Sequence, residues 1–322
     1  MSNVIDDILR KFPIMILDGA LATELEQHGC NLDDPLWSAS VLLNKPEVIY
    51  DVHLQYFRAG ADCAITSSYQ ATVEGFKRRG ISEEQALKLI KKTVELAKEA
   101  RDDFWQEWQQ KQEQEQNKQD IRPKPIVAGS IGPYGAFLAD GSEYIGHYGI
   151  TDQQLTDFHR PRMKALIEAG ADVLAIETIP SLQEAQVLVT LLEEFPTMSA
   201  WISFSMKDEL HISEGTSLVE CAKAFEDHPQ IAAIGMNCVP HSLVLPAVQA
   251  LSSSTYKPII VYPNSGETYN ATTKTWLQAG QEYRGLGHLD AQAWYEAGAN
   301  IVGGCCRTSP SHIEALAKEW RG

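Results

Sequence analysis

The stretch that decides the fold is Ala169-Gly170-Ala171-Asp172 followed by Val173-Leu174-Ala175-Ile176-Glu177. Its glycine ends a helical pattern, and the apolar run after it has the length of a buried strand. The tetrapeptide recurs as Ala59-Gly60-Ala61-Asp62 and, with asparagine last, as Ala297-Gly298-Ala299-Asn300, each time before another apolar run. A helix that stops at glycine and leads into a wholly apolar strand is typical of a parallel sheet covered by helices. The chain is therefore predicted to repeat a βα unit.

Apolar runs alternate with helical patterns along all 322 residues. Helix starts between the runs carry capping residues, as at Thr151 with Gln154 and Ser181 with Glu184. Strands alternating with helices over this length predict an α/β fold, the (βα)8 or TIM barrel, whose usual size is roughly 250 residues. An open doubly wound sheet is the alternative, but no glycine-rich dinucleotide loop follows the first strand. The predicted strands are 14–17, 63–66, 126–128, 173–177, 200–204, 231–234, 258–262 and 301–303.

A polar, glutamine-rich segment around 105–122 interrupts this pattern. It is predicted to be a solvated helix extension or a mobile surface insertion, with no domain boundary implied. Residues 1–322 are accordingly expected to form a single barrel domain.

Composition limits the classes of function. The formal net charge of -16 and the absence of a basic cluster argue against nucleic-acid binding. No apolar run reaches the roughly 18 residues of a membrane helix, and Asp6 and Asp7 stand where a secretory signal would be basic. A cytosolic location with no membrane partner is expected, so the six cysteines are predicted to be reduced thiols. Nothing in the sequence specifies an oligomer, and a monomer is compatible with it.

Three cysteines follow predicted strands: Cys238 after one, and adjacent Cys305 and Cys306 after another. Neighbouring side chains of a strand point to opposite faces, so the pair can face one point only where the chain leaves the strand, a turn that Gly303-Gly304 would permit. If the two strand ends meet, three thiolates would leave a tetrahedral metal with one open position. Taken alone, the pair could instead be a vicinal disulfide or redox pair, and Cys238 a small buried hydrophobe. Packing roles are expected for Cys30, Cys63 and Cys221.

Small polar and acidic residues follow other predicted strands. Chemistry in a (βα)8 barrel lies at the C-terminal strand ends, which makes these residues site candidates. Taken singly, Asp18 and Glu177 could equally cap helices or form ion pairs, and Trp37 could be a core anchor in its loop. The other candidates at strand ends are Gly19, Thr66, Ser67, Ser68, Gly129, Ser130, Asn237 and the segments 203–205 and 262–264.

Three motifs in this order resemble the zinc-dependent homocysteine S-methyltransferase family, whose members are (βα)8 barrels. They are Asp18-Gly19-Ala20 with Thr23-Glu24-Leu25, Gly-x-Asn-Cys at 235–238, and Gly-Gly-Cys-Cys at 303–306. The similarity runs nearly end to end and leaves out only the glutamine-rich segment. The chain is most similar to the short, single-domain members that use S-methylmethionine. The motifs behind that closer resemblance are Leu36-Trp37-Ser38-Ala39, Ser68-Tyr69-Gln70-Ala71-Thr72, Gly132-Pro133-Tyr134-Gly135 and Tyr262-Pro263-Asn264-Ser265-Gly266-Glu267.

The resemblance implies a methyltransferase of methionine biosynthesis. Cys238, Cys305 and Cys306 would hold Zn2+ as thiolates, and the homocysteine sulfur would take the fourth position. The methyl group would come from a sulfonium, S-methylmethionine or S-adenosylmethionine, whose sulfur leaves as a neutral thioether. No catalytic side chain is then implied beyond the zinc-activated substrate thiolate.

The resemblance also implies which residues contact the substrates. Asp18 and Glu177 would hold the ammonium group of homocysteine, and the Gly19 N–H and Thr66 would hold its carboxylate. Support would come from Ser68 and Asn237, while Trp37 would face the cationic donor.

Other functions are left open beside this one. Betaine-dependent relatives carry tyrosines where this chain has Gln70 and Thr178, which disfavours betaine as the donor. A non-catalytic zinc or thiol-redox barrel protein could use the same cysteines, although a purely structural zinc site would need a fourth protein ligand that no motif offers. A barrel enzyme of another reaction type, with incidental cysteines, is the third possibility.

Overall fold

Eight parallel strands form a barrel in the computed structural model, which describes residues 3–32, 38–114, 122–266, 268–270, 275–277 and 288–321. The predicted fold is confirmed, and all eight predicted strands are present. In chain order the barrel strands are β1 Met15–Ile16, β2 Cys63–Ile65, β3 Ile126–Ile131, β4 Val173–Ile179, β5 Ala200–Phe204, β6 Ile231–Asn237, β7 Ile259–Tyr262 and β10 Ala299–Val302. In the chain, β7 and β10 are separated by an antiparallel pair of strands that is not part of the barrel. Its strands are β8 Thr268–Asn270 and β9 Thr275–Leu277.

The sheet has the order β1-β10-β7-β6-β5-β4-β3-β2, so each strand lies beside its neighbour in the chain. Leu17 and Cys63 form a parallel bridge between the two end strands, and the Asp18 N–H donates to the Cys63 carbonyl over 3.0 Å. The ring of strands is therefore continuous, and their C-terminal ends form one rim.

The described helices cover the outside of the barrel, except that α1 packs below it. Ile5 and Ile8 of α1 are buried in one cluster with Met15 and Trp201, which face the barrel interior. The helices are α1 Val4–Leu9, α2 Leu21–Gln27, α3 Ser38–Asn44, α4 Pro46–Ala59, α5 Val73–Lys77, α6 Glu83–Gln114, α7 Tyr134–Leu138, α8 Asp152–Glu168, α9 Leu182–Leu192, α10 Leu218–Phe225, α11 Val244–Ser252, α12 His288–Ala297 and α13 Pro310–Arg321.

The three repeated tetrapeptides link helix to strand as predicted. Their glycines have φ values of 113° at Gly60, 84° at Gly170 and 122° at Gly298, in the region that L residues rarely adopt. A left-handed residue ends the helix and turns the chain back toward the barrel.

The last residue of each tetrapeptide has a second role that the sequence pattern did not indicate. Its side-chain oxygen accepts a hydrogen bond from a backbone N–H at the start of a neighbouring strand. These amides would otherwise be unpaired at the N-terminal ends of the strands. The repeat therefore stabilises this face of the barrel, which is opposite to the rim formed by the C-terminal strand ends. The pairs are Asp62 with the Ile16 N–H at 2.9 Å, Asp172 with the Val127 N–H at 2.8 Å, and Asn300 with the Ile259 N–H at 3.2 Å.

The glutamine-rich segment begins as a helix. Residues 105–114 continue α6 to Gln114, whereas residues 115–121 lie outside the described part of the chain. Within the described residues, no helix combines the length and the apolar character needed to cross a membrane.

Candidate metal centre and substrate site

The three cysteines predicted to converge do so at the rim. Cys238 directly follows β6, while Cys305 and Cys306 follow β10, and β7 lies between those two strands. The three Sγ atoms all lie within 4.8 Å of one another, with Cys238 and Cys306 3.7 Å apart. All six cysteines of the chain are free thiols, so the vicinal-disulfide interpretation is not the arrangement of this structure.

The spacing of this cysteine cluster fits a tetrahedral metal. Four sulfurs at about 2.3 Å from zinc lie about 3.8 Å from one another, close to the observed 3.7 Å. A disulfide would need about 2.05 Å. The described residues place no fourth histidine, cysteine or acid in the cluster, which leaves one coordination position for a substrate atom.

Charge in the cluster also favours a cation. Hydrogen bonds from the Cys305 and Cys306 thiols lower the pKa of Cys238 well below its usual range. The same hydrogen bonds to Cys238 and the burial of the thiols raise the pKa of Cys305 and Cys306. Without a metal, one thiolate is thus stabilised at the expense of the other two. A bound dication would remove that conflict and allow all three to ionise.

Two buried carboxyl groups lie on the same rim, Asp18 after β1, which pairs with β10, and Glu177 in β4. Asp18 is 2% exposed, and its Oδ2 accepts from the Ile65 N–H over 2.9 Å; burial and the charge of Glu177 raise its pKa well above the usual range. Burial raises the pKa of Glu177 to about 7, against the opposing effect of hydrogen bonds from Ser130 and Tyr262. Neither carboxyl forms an ion pair with a described cationic side chain. Two acids that interact without a cationic partner are suited to binding an ammonium group.

We compared the chain with known proteins to find which of them share its three-cysteine cluster and its pair of buried acids. The family model described as homocysteine S-methyltransferase matches residues 15–320. The chain belongs to the homocysteine S-methyltransferase family. The resemblance predicted from the three motifs is confirmed.

Several members of the homocysteine S-methyltransferase family are similar over almost the whole chain. Homocysteine S-methyltransferase YbgG of Bacillus subtilis (strain 168) is 56% identical over 316 residues, which cover 98% of this chain and 97% of that protein. Homocysteine S-methyltransferase 2 of Arabidopsis thaliana is 44% identical, covering 94% and 92%. The crystal structure of the Escherichia coli homocysteine methyltransferase MmuM in its metallated form superposes with a TM-score of 0.85 at 44% identity, covering 99% of this chain and 100% of that one.

The backbone around the family's Gly-Gly-Cys-Cys motif is tightly packed. Neither Gly303 nor Gly304 has a left-handed φ, so they do not serve the torsional role expected from the sequence. A Cβ at Gly303 would lie 2.5 Å from the Cβ of Leu17, and one at Gly304 would lie 2.6 Å from the Cβ of Thr308. The glycines are required because neighbouring chain segments leave no room for a side chain.

Cys238 reaches the cluster through a strained backbone. Its φ is 53°, and its N–H donates to the Tyr262 carbonyl over 3.1 Å. On the other side of the cluster, the Cys305 N–H donates to the Pro263 carbonyl over 2.8 Å. Both cysteines are thus fixed by the end of β7, the strand between them.

The hydroxyl groups expected near the substrate form a chain that ends at Glu177. Thr66 Oγ1 accepts from the Ser130 N–H over 3.0 Å and lies 2.7 Å from Ser68 Oγ, which donates to the Ser130 carbonyl over 2.8 Å. Ser130 Oγ in turn donates to Glu177 Oε1. Because the one hydrogen of Ser68 goes to Ser130, the Thr66 hydroxyl donates to Ser68. Ser130 was among the strand-end residues identified from the sequence, but no substrate contact was predicted for it.

Three other predicted residues have different outcomes. A Cβ at Gly19 would lie 2.8 Å from Thr308 Oγ1 and 2.9 Å from Tyr56 Oη, so only glycine fits there. Asn237 is 1% exposed and bonds to neighbouring side chains and backbone, which makes it part of the wall behind the acids. Trp37 lies outside the described residues.

Sequence reasoning missed a tyrosine that contacts the cluster. Tyr144 Oη lies 3.1 Å from Cys238 Sγ, and the side chain is 36% exposed. It belongs to the connection between α7 and α8, which carries no strand-end pattern.

A buried network of charged residues supports the rim where β2 and β3 end. Arg162, 1% exposed, donates to the Tyr69 carbonyl over 2.9 Å, to the Gly132 carbonyl over 2.5 Å and to His159 Nδ1 over 2.9 Å. Because Nδ1 accepts, His159 Nε2 carries the hydrogen and donates to Glu184 over 2.8 Å. The loops after β2 and β3 are therefore held together from behind by charge-assisted hydrogen bonds.

Proposed function

We propose that the chain is a zinc-dependent methyltransferase that moves a methyl group from a sulfonium donor to homocysteine and gives methionine. S-Methylmethionine is the proposed donor, with S-adenosylmethionine as the second candidate. The observation that carries the proposal is the convergence of three sulfurs within 4.8 Å beside two buried carboxyl groups. Family membership and the metallated MmuM structure support it.

Cys238, Cys305 and Cys306 would hold the zinc. When bound, zinc would supply the charge that keeps the homocysteine sulfur deprotonated at neutral pH in the open fourth position. Three thiolate ligands suit this task because they donate charge to the metal and leave the fourth sulfur nucleophilic.

Asp18 and Glu177 would bind the ammonium group of homocysteine. Both carboxyls are buried without a described cationic partner, and both have a raised pKa. An ammonium ion between them would favour their ionised forms and neutralise their mutual repulsion. The Gly19 N–H and the Thr66 hydroxyl are the proposed donors to the carboxylate, with Thr66 giving up its bond to Ser68.

The reaction balances without a proton-donating side chain. The homocysteine thiol first releases its proton to solvent. Its sulfur then attacks the methyl carbon, and the donor's carbon–sulfur bond breaks with its electron pair remaining on the donor sulfur. That sulfur leaves as a neutral thioether, so S-methylmethionine and homocysteine yield two methionines. The residues of the chain contribute chiefly by holding both sulfurs in line with the carbon.

The proposal is tested by measuring methionine formation from homocysteine with S-methylmethionine, S-adenosylmethionine and betaine in parallel. Activity is expected with the sulfonium donors and is expected to disappear when zinc is fully chelated. Full activity after chelation would refute the zinc mechanism, and a clear preference for betaine would refute the interpretation of Gln70 and Thr178. A cytosolic location and a single-domain organisation remain predictions of the sequence, which does not specify the oligomeric state.

A further inference from the structure

The short turn Ser142–Tyr144, between β3 and α8, places an acid beside the cysteine cluster. Tyr144 Oη lies 3.1 Å from Cys238 Sγ, so the turn lies against the metal centre. The Ser205 hydroxyl donates to the Glu143 carbonyl over 2.9 Å and fixes the turn to the end of β5. The backbone of Glu143 is therefore held beside the cluster by Tyr144, which follows it, and by Ser205.

The carboxyl group of Glu143 is enclosed and incompletely paired. Its Oε2 has no hydrogen-bond partner within the described part of the chain. Burial raises the pKa of Glu143 to about 7; a hydrogen bond from its own N–H opposes this, and the negative charge of Cys238 adds to it. Burying a carboxyl oxygen without a partner is costly, and a bound cation would offset that cost.

A second aromatic side chain, Tyr69, lies at the rim, where the segments after β2 and β3 meet. A Cβ at Gly132 would lie 2.7 Å from ring atoms of Tyr69, so this ring lies directly over the glycine. Arg162 holds the Tyr69 carbonyl from behind over 2.9 Å. Burial, and then the charges of Glu143 and Cys238, raise the pKa of Tyr69.

We propose that Glu143 supplies the counter-charge for the cationic methyl donor, with Tyr69 and Tyr144 as the aromatic surfaces beside it. This inference rests on the proposed function and assigns the donor side of the same site. A sulfonium cannot donate a hydrogen bond, so it is recognised by negative charge and by aromatic faces. An ammonium group prefers several acceptors at short range, as Asp18 and Glu177 offer. The ammonium group of homocysteine and the sulfonium of the donor are thereby assigned to different acids.

The test uses Glu143→Gln with Glu209→Gln as its matched control. Glu209 is an exposed acid in the loop after β5, so its substitution removes one negative charge from the same face of the barrel. In Glu143→Gln we expect the KM for S-methylmethionine to rise about tenfold, as for the loss of one partly buried charge contact. The KM for homocysteine and the zinc content should not change. Glu209→Gln should match the wild type in all three measurements.

A binding measurement separates this inference from the proposed function. S-Methylmethionine is titrated by calorimetry into the zinc-loaded protein without homocysteine, where no turnover occurs. No binding to the wild type would contradict the proposed function. Equal binding to the wild type and to Glu143→Gln would refute the role of Glu143 alone. A rise in the homocysteine KM of Glu143→Gln, with the donor KM unchanged, would also refute it.

A second ligand identifies which charge of the donor is recognised. Trimethylsulfonium carries the sulfonium but no ammonium group, and Glu143→Gln should weaken its binding by a factor similar to that for S-methylmethionine. If only S-methylmethionine binding weakens, Glu143 contacts the ammonium group and the inference is wrong. Tyr144→Phe keeps the ring and should retain donor binding, whereas Tyr144→Leu should weaken it.

Discussion

Asn237 and Thr178 are joined by hydrogen bonds in both directions. Asn237 Oδ1 accepts from the Thr178 N–H over 2.7 Å, and Asn237 Nδ2 donates to Thr178 Oγ1 over 2.8 Å. Thr178 has a φ of 58°, which is costly for a β-branched residue. It directly follows Glu177, so the amide of Asn237 holds the backbone conformation that directs this carboxyl toward the site.

Replacing Asn237 with alanine should affect both stability and homocysteine binding. The Thr178 N–H and the Ser203 hydroxyl, which also donates to Asn237 over 2.8 Å, would lose their shared acceptor. The free energy of unfolding should fall by about 1–3 kcal/mol, and the KM for homocysteine should rise. Denaturant unfolding and steady-state kinetics measure the two effects. Ser203→Ala, which leaves both bonds to Thr178 intact, is the control; an unchanged homocysteine KM in Asn237→Ala would contradict the positioning role.

Removal of one cluster cysteine should abolish metal binding without unfolding the chain. The purified, reduced wild type is expected to contain about one zinc per chain. Cys305→Ser should lose zinc and activity together, while its circular dichroism remains that of the wild type. Cys30→Ser replaces a buried cysteine outside the cluster and should keep its zinc. Metal analysis decides the matter, and stoichiometric zinc in Cys305→Ser would argue against the assigned ligands.

An alanine at Gly304 should displace the metal ligands through crowding. The new Cβ would lie 2.6 Å from the Cβ of Thr308, so the segment that carries Cys305 must move. We expect zinc affinity to fall at least tenfold, by analogy with the loss of support for metal ligands. Gly80 has a φ of 74° and open space around it, so Gly80→Ala tests torsional strain alone. It should cost about 1 kcal/mol in stability and leave zinc binding intact; tight zinc binding by Gly304→Ala would refute the crowding argument.

His53 should make the fold sensitive to acid. It is fully buried in α4, neither ring nitrogen has a hydrogen-bond partner among the described residues, and burial lowers its pKa from 6.5 to about 4. Above pH 6.5 the ring is neutral in both the folded and unfolded states, and stability does not depend on its protonation. As the pH falls from 6.5 toward 4, the unfolded state binds the proton first, and about 3 kcal/mol of stability is lost.

His53→Leu should therefore be more stable at neutral pH, because it removes two unpaired nitrogens, and should lose less stability on acidification. Urea unfolding at a series of pH values between 7 and 4.5 measures both effects. An acid-dependent loss as large as that of the wild type would show that other groups control the transition. Circular dichroism at neutral pH confirms that the variant is folded.

Local patterns carried most of the information about the fold. The repeated Ala-Gly-Ala-Asp tetrapeptide predicted the helix ends, since a left-handed glycine and an apolar strand are both decided within a few residues. What the tetrapeptide could not show is the partner of its last residue. Asp172 bonds to Val127, which lies 45 positions away, and only the closed sheet brings the two together.

The site was predicted where its residues end strands and was missed where they lie in loops. The cysteines were identifiable because topology alone places strand ends on one rim. Glu143 and Tyr144 come from the connection after β3, whose path is set by packing against Gly135 and Ser205. The sequence did show an acid next to an aromatic residue in this connection. The spacing of residues along the chain does not predict, however, how far a loop extends toward the site.

The position of β10 has a consequence for how the protein matures. This strand lies between β1 and β7, so it joins the beginning of the chain to the end of the sheet. It also leads directly into two of the three sulfurs of the cysteine cluster. The three sulfurs can meet only after this strand has docked between β1 and β7. Metal uptake therefore reports that the ring of strands has closed, and its rate measures the insertion of β10.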